Sequence, residues 1–258
     1  MKHLSVLLIA ACSALAQSPG YSEYQKANSL FTAAKFSESS AALDRALSLD
    51  PNLVPALTLK AKLAMSINRF DVANESLRHA LAVDPKASYA QFLLGFSFYQ
   101  QNEMPQAIEA LEKARKLNAR DPRTLLYLGL ARETTGNTEQ ALSLYKDAIR
   151  LEESVGTLLP CARLLMVMGN LDESATLIER ALKHEPNSRD AHFERGRLYL
   201  KKSLAADAAK ELELALSSHS GDITDRQIHT LLVQAYRANG QDAEAAKHAA
   251  AVRESERQ

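Results

Sequence analysis

The sequence predicts an all-α protein made of repeated helix pairs, and three observations favour this class. Alanine and leucine are in excess, with 42 and 40 residues among 258. Glycine and proline are scarce, with nine and eight residues, whereas β-architectures need many turns that contain them. The third observation is an internal period of 34 residues, a length typical of stacked helical repeats. Because tryptophan is absent and aromatic residues make up only 6%, we expect a core of leucine and alanine.

The period appears as series of small residues spaced 34 apart. These series are Ala27, Ala61, Gly95 and Gly129; Ala46, Ala80, Ala114 and Ala148; and Ser39, Ala73, Ala107 and Ala141. A series of large residues runs in step with them and comprises Leu43, Leu77, Leu111 and Tyr145. After a one-residue deletion near residue 154 the pattern resumes, with Ala162 and Gly196, Ile178 and Leu212, and Ala181 and Ala215. We therefore predict a chain of similar units in series.

Each unit is predicted to form two amphipathic helices of about 13 residues, with apolar positions at helical spacing. Small residues let the two helices approach closely, so a large side chain there would overpack the contact. The turn between the helices carries a residue suited to left-handed backbone, namely Asn68, Asn102, Gly136, Gly169 or Gly240. Second helices are expected to end at Asp50-Pro51, Asp84-Pro85 and Glu185-Pro186.

These units resemble the repeats of the tetratricopeptide repeat family. Its motif has a small residue at position 8, a large residue at 11, alanine at 20 and 27, a large apolar residue at 24 and proline at 32. The series fall at these positions when repeats start near residues 20, 54, 88, 122, 155, 189 and 226. The resemblance covers residues 20–255 and implies an α-solenoid, a right-handed superhelix of about seven helix-turn-helix repeats. The family's tryptophan is absent, and Arg132 departs from the pattern at position 11.

The N-terminus predicts export. Residues 1–16 place Lys2 and His3 before a short apolar run, followed by Ala14-Leu15-Ala16, and this order is typical of a signal peptide. The run is too short to span a bilayer, which takes about 20 apolar residues. A buried N-terminal helix is the alternative. Cleavage after Ala16 would give an exported protein, located in the periplasm or secreted.

Cys12 offers a second route for the N-terminus. Residues 9–12, Ile-Ala-Ala-Cys, resemble a bacterial lipobox, in which the cysteine is lipidated and anchors the protein to the membrane. Cleavage after Ala16 is favoured over this possible lipidation of Cys12. Cys161 is then the one cysteine of the mature protein, so an intrachain disulfide is excluded and packing must supply the stability.

The most irregular segment is residues 152–160. Gly156 and Pro160 fall in the first turns of a predicted first helix, and proline beyond the first turn costs about 3 kcal/mol. We therefore expect this helix to start late, near Leu158–Pro160. The segment is either a hinge between the first four repeats and the last three or a tolerated irregularity.

The sequence offers little support for catalysis, cofactor binding or metal binding. The chain has no dinucleotide-binding glycine loop, P-loop, nucleophile elbow or zinc-protease motif, so we predict no catalytic residue and no cofactor. The nearest metal-like spacing is His219, Asp222, Asp225 and His229. We interpret it as a polar connection whose aspartates cap the next helix, so no metal site is predicted.

The resemblance also implies a binding site, because the first helices of the family line a concave groove. The residues at groove positions that we select are Tyr89, Phe92, Phe96, Tyr99, Leu126, Leu130, Arg163 and Arg197. The four aromatic residues fall within eleven positions, and exposed clusters of this kind usually mark binding surfaces. Alternatively, Phe92 and Phe96 pack against the neighbouring first helix.

The two arginines could bind a partner carboxylate, or they form a solvated charged face. The family's carboxylate clamp is not matched, because Tyr24 stands where its lysine belongs, although Asn28 is present. Capture of the carboxyl terminus of a partner is therefore not predicted.

We predict a non-catalytic protein-protein interaction scaffold that binds a protein or peptide segment in its groove. The balance of 31 basic and 31 acidic residues argues against nucleic-acid binding, and contact with a membrane is expected only if Cys12 is lipidated. The alternatives are a membrane-anchored envelope assembly lipoprotein and an accessory subunit of a glycan or export enzyme system.

Overall fold

The computed structural model describes residues 19–218 and 220–255, and this part of the chain forms fourteen α-helices and no strand. The all-α prediction is thereby confirmed. The helices are α1 Pro19–Thr32, α2 Phe36–Leu49, α3 Val54–Ser66, α4 Phe70–Val83, α5 Ser88–Gln100, α6 Met104–Leu117, α7 Pro122–Thr134, α8 Thr138–Leu151, α9 Val155–Val167, α10 Leu171–His184, α11 Arg189–Lys201, α12 Ala205–Ser217, α13 Asp225–Ala238 and α14 Asp242–Ser255. The predicted signal peptide, residues 1–16 with Cys12, lies outside the described residues. No helix in the described ranges is long and apolar enough to cross a membrane.

The chain divides into two compact units, with unit 1 ending at Thr135 and unit 2 beginning at Gly136. Unit 1 holds α1 to α7 and unit 2 holds α8 to α14. The division does not fall at residues 152–160, which lie within unit 2. In unit 1, first helices of successive pairs touch one another, α1 with α3, α3 with α5 and α5 with α7. These four helices form a layer, and its surface is here called the first-helix face.

The two helices of a pair meet at the predicted small residues. Ala27 and Ala61 are fully buried. A Cβ atom added to Gly95 would lie 2.6 Å from Cγ of Leu111, and one added to Gly196 would lie 2.7 Å from Cγ of Leu212. Non-bonded carbon atoms prefer separations of roughly 3.5–4.0 Å, so neither site accommodates a side chain without movement.

Buried serines connect the same two helices through hydrogen bonds. The Ser39 hydroxyl donates to the Ala27 carbonyl at 2.8 Å, and the Ser174 hydroxyl donates to the Ala162 carbonyl at 2.8 Å. Each bond joins position 20 of a repeat to position 8. Because buried hydroxyls must be paired to avoid a desolvation penalty, these bonds are compatible with the close packing.

The turns within the pairs use left-handed backbone, as predicted. The angle φ is positive at the five residues named for this role, Asn68, Asn102, Gly136, Gly169 and Gly240. Ala34 and Ser203 adopt it as well, with φ of 56° and 60°, although neither residue type favours it. The helix ends predicted before Pro51, Pro85 and Pro186 are also confirmed, because α2, α4 and α10 end at Leu49, Val83 and His184.

The predicted late start of α9 is wrong, because this helix begins at Val155 and contains Pro160. Its first turn is stabilised by a capping box, in which the Ser154 amide donates to Oγ1 of Thr157 at 3.1 Å. Pro160 lacks the N–H that would reach the carbonyl of Gly156, four residues earlier, and a proline ring inside a helix also crowds that carbonyl. The cap and the burial of Leu158 and Leu159 therefore stabilise this helix by more than Pro160 destabilises it.

The close approach at Gly95 yields a stability prediction. Gly95→Ala should lower the free energy of unfolding by about 1–3 kcal/mol, because the new methyl group overlaps the Leu111 side chain. Urea unfolding followed by circular dichroism measures the change. The control is Gly156→Ala, where the nearest atom is 3.8 Å away. There the higher helix propensity of alanine should leave stability unchanged or raised. Equal stability of wild type and Gly95→Ala would contradict the packing argument.

Candidate functional site

Five aromatic side chains from α5 and α7 meet on the first-helix face of unit 1. This aromatic cluster comprises Tyr89, Phe92, Phe96, Tyr99 and Tyr127. Tyr89, Phe92 and Phe96 follow one another along α5 with ring centroids 6.1 and 6.2 Å apart. Tyr127 of α7 contacts Phe96 and Tyr99 edge-on, with centroids at 4.8 and 5.5 Å. These separations lie within the range in which aromatic pairs attract beyond simple area burial.

The members of the cluster differ in exposure. Phe92 is only 5% exposed, so it packs beneath its neighbours and offers a partner little surface. Tyr89 is 37% exposed, and Phe96, Tyr99 and Tyr127 are half-buried. Phe92 therefore packs against Tyr127 of the next first helix, as the alternative interpretation expected, while the other rings reach the surface. Leu126 and Leu130 of α7 are half-buried.

A cation lies over the edge of the cluster. The Arg123 guanidinium is 5.1 Å from the ring centroid of Tyr89 and 5.4 Å from that of Phe92. Its Nε also donates to Oδ1 of Asp121 at 3.0 Å, and Thr124 donates to the other oxygen of that carboxylate at 2.7 Å. Arg123 is thus positioned by a carboxylate at the start of α7 and stabilises the rings by a cation–π interaction.

Arg163 and Arg197 lie in unit 2, where they share an internal carboxylate. Glu194 of α11 has a side chain only 3% exposed, and its oxygens lie 2.8 Å from Nη1 of Arg197 and 3.7 Å from Nε of Arg163. Burial raises the pKa of Glu194, while the two arginines act in the opposite direction. The arginines therefore pair with a buried carboxylate of the protein itself, an arrangement that differs from both sequence alternatives, a partner carboxylate and a solvated charged face.

Two residues were missed by sequence reasoning, and both occupy position 6 of a repeat. Tyr127 completes the aromatic cluster, and Glu194 binds the two arginines. The signal for Tyr127 would have been its place directly after Leu126, and the signal for Glu194 its spacing of three residues from Arg197, at which side chains on one helix meet. Arg132, which departs from the repeat pattern, forms an ion pair with Glu112 of α6 at 3.3 Å. The unusual residue at this position is therefore accommodated within unit 1.

Two described residues of the metal-like spacing, Asp225 and His229, have other partners in the structure. Asp225 pairs with Arg189, which also donates to backbone carbonyls of Ser218 and Ile223. Thr224, and not an aspartate, caps α13, where it accepts the Gln227 amide at 3.3 Å. His219 lies outside the described residues, and within those ranges no group of three or more ligands could hold a metal.

A titratable cluster instead joins the last two helices. Nδ1 of His229 on α13 lies 2.9 Å from Nδ1 of His248 on α14. The His248 ring stacks on Tyr236, and its Nε2 lies 3.2 Å from Oε1 of Glu213, which also accepts the Tyr236 hydroxyl at 2.9 Å. One proton can lie between the two Nδ1 atoms, but two protons there would repel each other. The contact thus requires at least one neutral ring.

This contact predicts that unit 2 loses stability in mild acid. Burial lowers the pKa of His229, and His248 and Arg189 add to the effect, while Asp225 and Glu213 oppose it. The unfolded protein therefore takes up the proton first as the pH falls. The neutral His229 ring therefore contributes its full stabilisation at pH values above 6.5, its ordinary pKa. This contribution is lost as the pH falls below that value.

Urea midpoints measured at about pH 7.5 and about pH 5.5 test this difference. His229→Gln should lose less stability than wild type between the two values. His79→Gln, which removes an imidazole from α4 that bonds Asn52, is the control and should behave like wild type. An identical pH dependence in His229→Gln and wild type would contradict the role of the pair.

Comparisons with known proteins agree with this architecture. A family model described as Tetratricopeptide repeat matches residues 58–122, 97–154 and 162–223, more than half of the chain. Anaphase-promoting complex subunit 3 of Schizosaccharomyces pombe is 23% identical over 167 residues, which make up 63% of this chain and 25% of that protein. The chain thus spans about a quarter of the length of the curated relative that it matches.

Solved structures have the same fold. The structure of PilF from Pseudomonas aeruginosa has a TM-score of 0.72 at 18% identity, covering 85% of this chain and 97% of that chain. YrrB, described as a TPR protein with an unusual peptide-binding site, has a TM-score of 0.58 at 21% identity, covering 76% of this chain and 98% of that chain. Together with the fourteen helices and the 34-residue period, the family match leads to one conclusion. The chain belongs to the tetratricopeptide repeat family.

Proposed function

We propose that the protein is a non-catalytic scaffold that binds a protein or peptide segment on the first-helix face of unit 1. The aromatic cluster is the observation that supports this function most directly. Its rings are held in place by buried Phe92 and by Arg123, so their exposed surfaces are ordered before a partner arrives. Rigid aromatic side chains lose little conformational entropy on binding. They are also over-represented among the residues that contribute most of the binding energy.

The relatives support the same class of function. YrrB is described as having a peptide-binding site, and the Schizosaccharomyces pombe relative is by name a subunit of a complex. Export under a signal peptide of residues 1–16 is part of the proposal, and lipidation of Cys12 with an envelope role is its alternative. An accessory role in a glycan or export enzyme system would use the same binding face.

Removal of the two tyrosines on α5 tests the proposal. The double variant Tyr89→Ala with Tyr99→Ala leaves Phe92 and Phe96 in place and should reduce captured partner by about tenfold or more, because exposed aromatic anchors are lost. Affinity capture from the cells that make the protein, followed by quantitative mass spectrometry, measures the change.

The matched control removes exposed apolar side chains from second helices. Val83→Ala with Leu117→Ala deletes two such side chains, which are 42% and 41% exposed. This variant should capture partners like wild type. The proposal would be refuted if the tyrosine variant, folded as judged by circular dichroism, captured the same partners in the same amounts as the control.

A further inference from the structure

A cavity of about 460 Å³ adjoins the aromatic cluster on the first-helix face. It lies between α1, α3 and the start of α5, and Tyr89 lines both the cavity and the cluster. The polar side chains that line the cavity are Tyr24, Asn28, Thr58, Lys62, Lys86, Ser88 and Tyr89. A segment bound on the cluster would therefore continue into this cavity.

The cavity has positive charge and no carboxylate among its lining residues. Lys62 and Lys86 form no ion pair with a carboxylate within the described ranges. The Lys62 ammonium lies 4.8 Å from the ring centroid of Phe31. Asp84, two residues before Lys86, uses its Oδ1 to accept the Lys86 backbone amide at 2.9 Å and does not line the cavity. Two cations thus face the cavity without a compensating anion.

The neutral groups of the cavity are suited to the same kind of ligand. Burial raises the pKa of the Tyr24 phenol, and the phenols of Tyr21 and Tyr89 raise it further, so Tyr24 keeps its proton as a hydrogen-bond donor. The Asn28 amide can also donate. The Thr58 hydroxyl already donates to the Val54 carbonyl at 2.7 Å, so it offers a lone pair rather than its proton. Donors and cations thus outnumber acceptors.

We infer that the partner segment is acidic, with the carboxylate of an aspartate or glutamate in this cavity and an adjoining apolar side chain against Tyr89 and Tyr99. Charge complementarity selects this occupant, because a basic segment would meet Lys62, Lys86 and Arg123 without a free carboxylate. The inference rests on the proposed function and adds to it the chemistry of the partner. The carboxylate clamp of the family is not required, because the proposed ligand is an aspartate or glutamate side chain within the segment and not the carboxyl terminus of a partner.

Selection from a phage-displayed library of random peptides tests the inference without a known partner. Peptides of about twelve residues, roughly 40 Å when extended, are long enough to reach from the cavity across the cluster. The full-length protein is immobilised, and enriched peptides are synthesised for fluorescence polarisation. We expect aspartate and glutamate next to apolar residues, and binding that weakens as the salt concentration rises.

Charge-reversal variants identify the site. Lys62→Glu with Lys86→Glu should weaken binding of the enriched acidic peptides by about tenfold or more. The control, Lys116→Glu with Lys183→Glu, reverses two exposed lysines on second helices, α6 and α10, and should bind like wild type. Circular dichroism verifies that each variant is folded.

The outcomes separate the two proposals. Enriched peptides without an excess of acidic residues, or acidic peptides that bind both charge variants equally, would overturn the inference. If the peptides from either of these outcomes bound the double variant Tyr89→Ala with Tyr99→Ala more weakly than wild type, the proposed binding face would still be supported. Peptides that bind this tyrosine variant like wild type, or a library that yields no enriched sequence, would overturn both proposals.

Discussion

The structure of each unit depends on the close approach of the two helices in the pairs that it contains. A residue without a large side chain on the first helix faces a large residue on the second, as Gly95 faces Leu111 and Gly196 faces Leu212. The buried hydroxyl of Ser39 bonds across the same contact. Because no pair buries its apolar surface alone, neighbouring pairs within a unit also stack on each other, and the repetition of one contact along the sequence produces the architecture of each unit.

This constraint also creates the candidate site. Stacking brings first helices into one layer within unit 1, so that α5 and α7 place their aromatic rings edge to face. Phe92 is buried in the packing, whereas Tyr89 and Tyr99 keep exposed surface. In unit 2, Glu194 is buried and its carboxylate pairs with Arg163 and Arg197 of the protein itself. Equivalent first-helix positions thus carry the proposed binding surface in unit 1 and an internal ion pair in unit 2.

Much of the fold could be predicted from the sequence, because the period of 34 residues records the packing contact directly. Positions that depend on a neighbouring repeat were harder to predict. Glu194 is a charged residue whose burial depends on Arg163 from another helix, and Tyr127 gains its role from rings on α5. The early start of α9 depends on a local cap at Ser154 that outweighs Pro160. Ala34 adopts left-handed backbone because the repeat geometry imposes it and not because of its residue type.

Site-specific photo-cross-linking tests the central claim, that partners bind the first-helix face, most directly. A photoreactive phenylalanine analogue replaces Tyr99 on this face or, in a second version, the exposed Leu117 on α6. Both versions are irradiated in the cells that make the protein. We expect a discrete covalent adduct from position 99 and none from position 117. An adduct from position 117 with none from position 99 would contradict the claim and would move the binding site to the second helices.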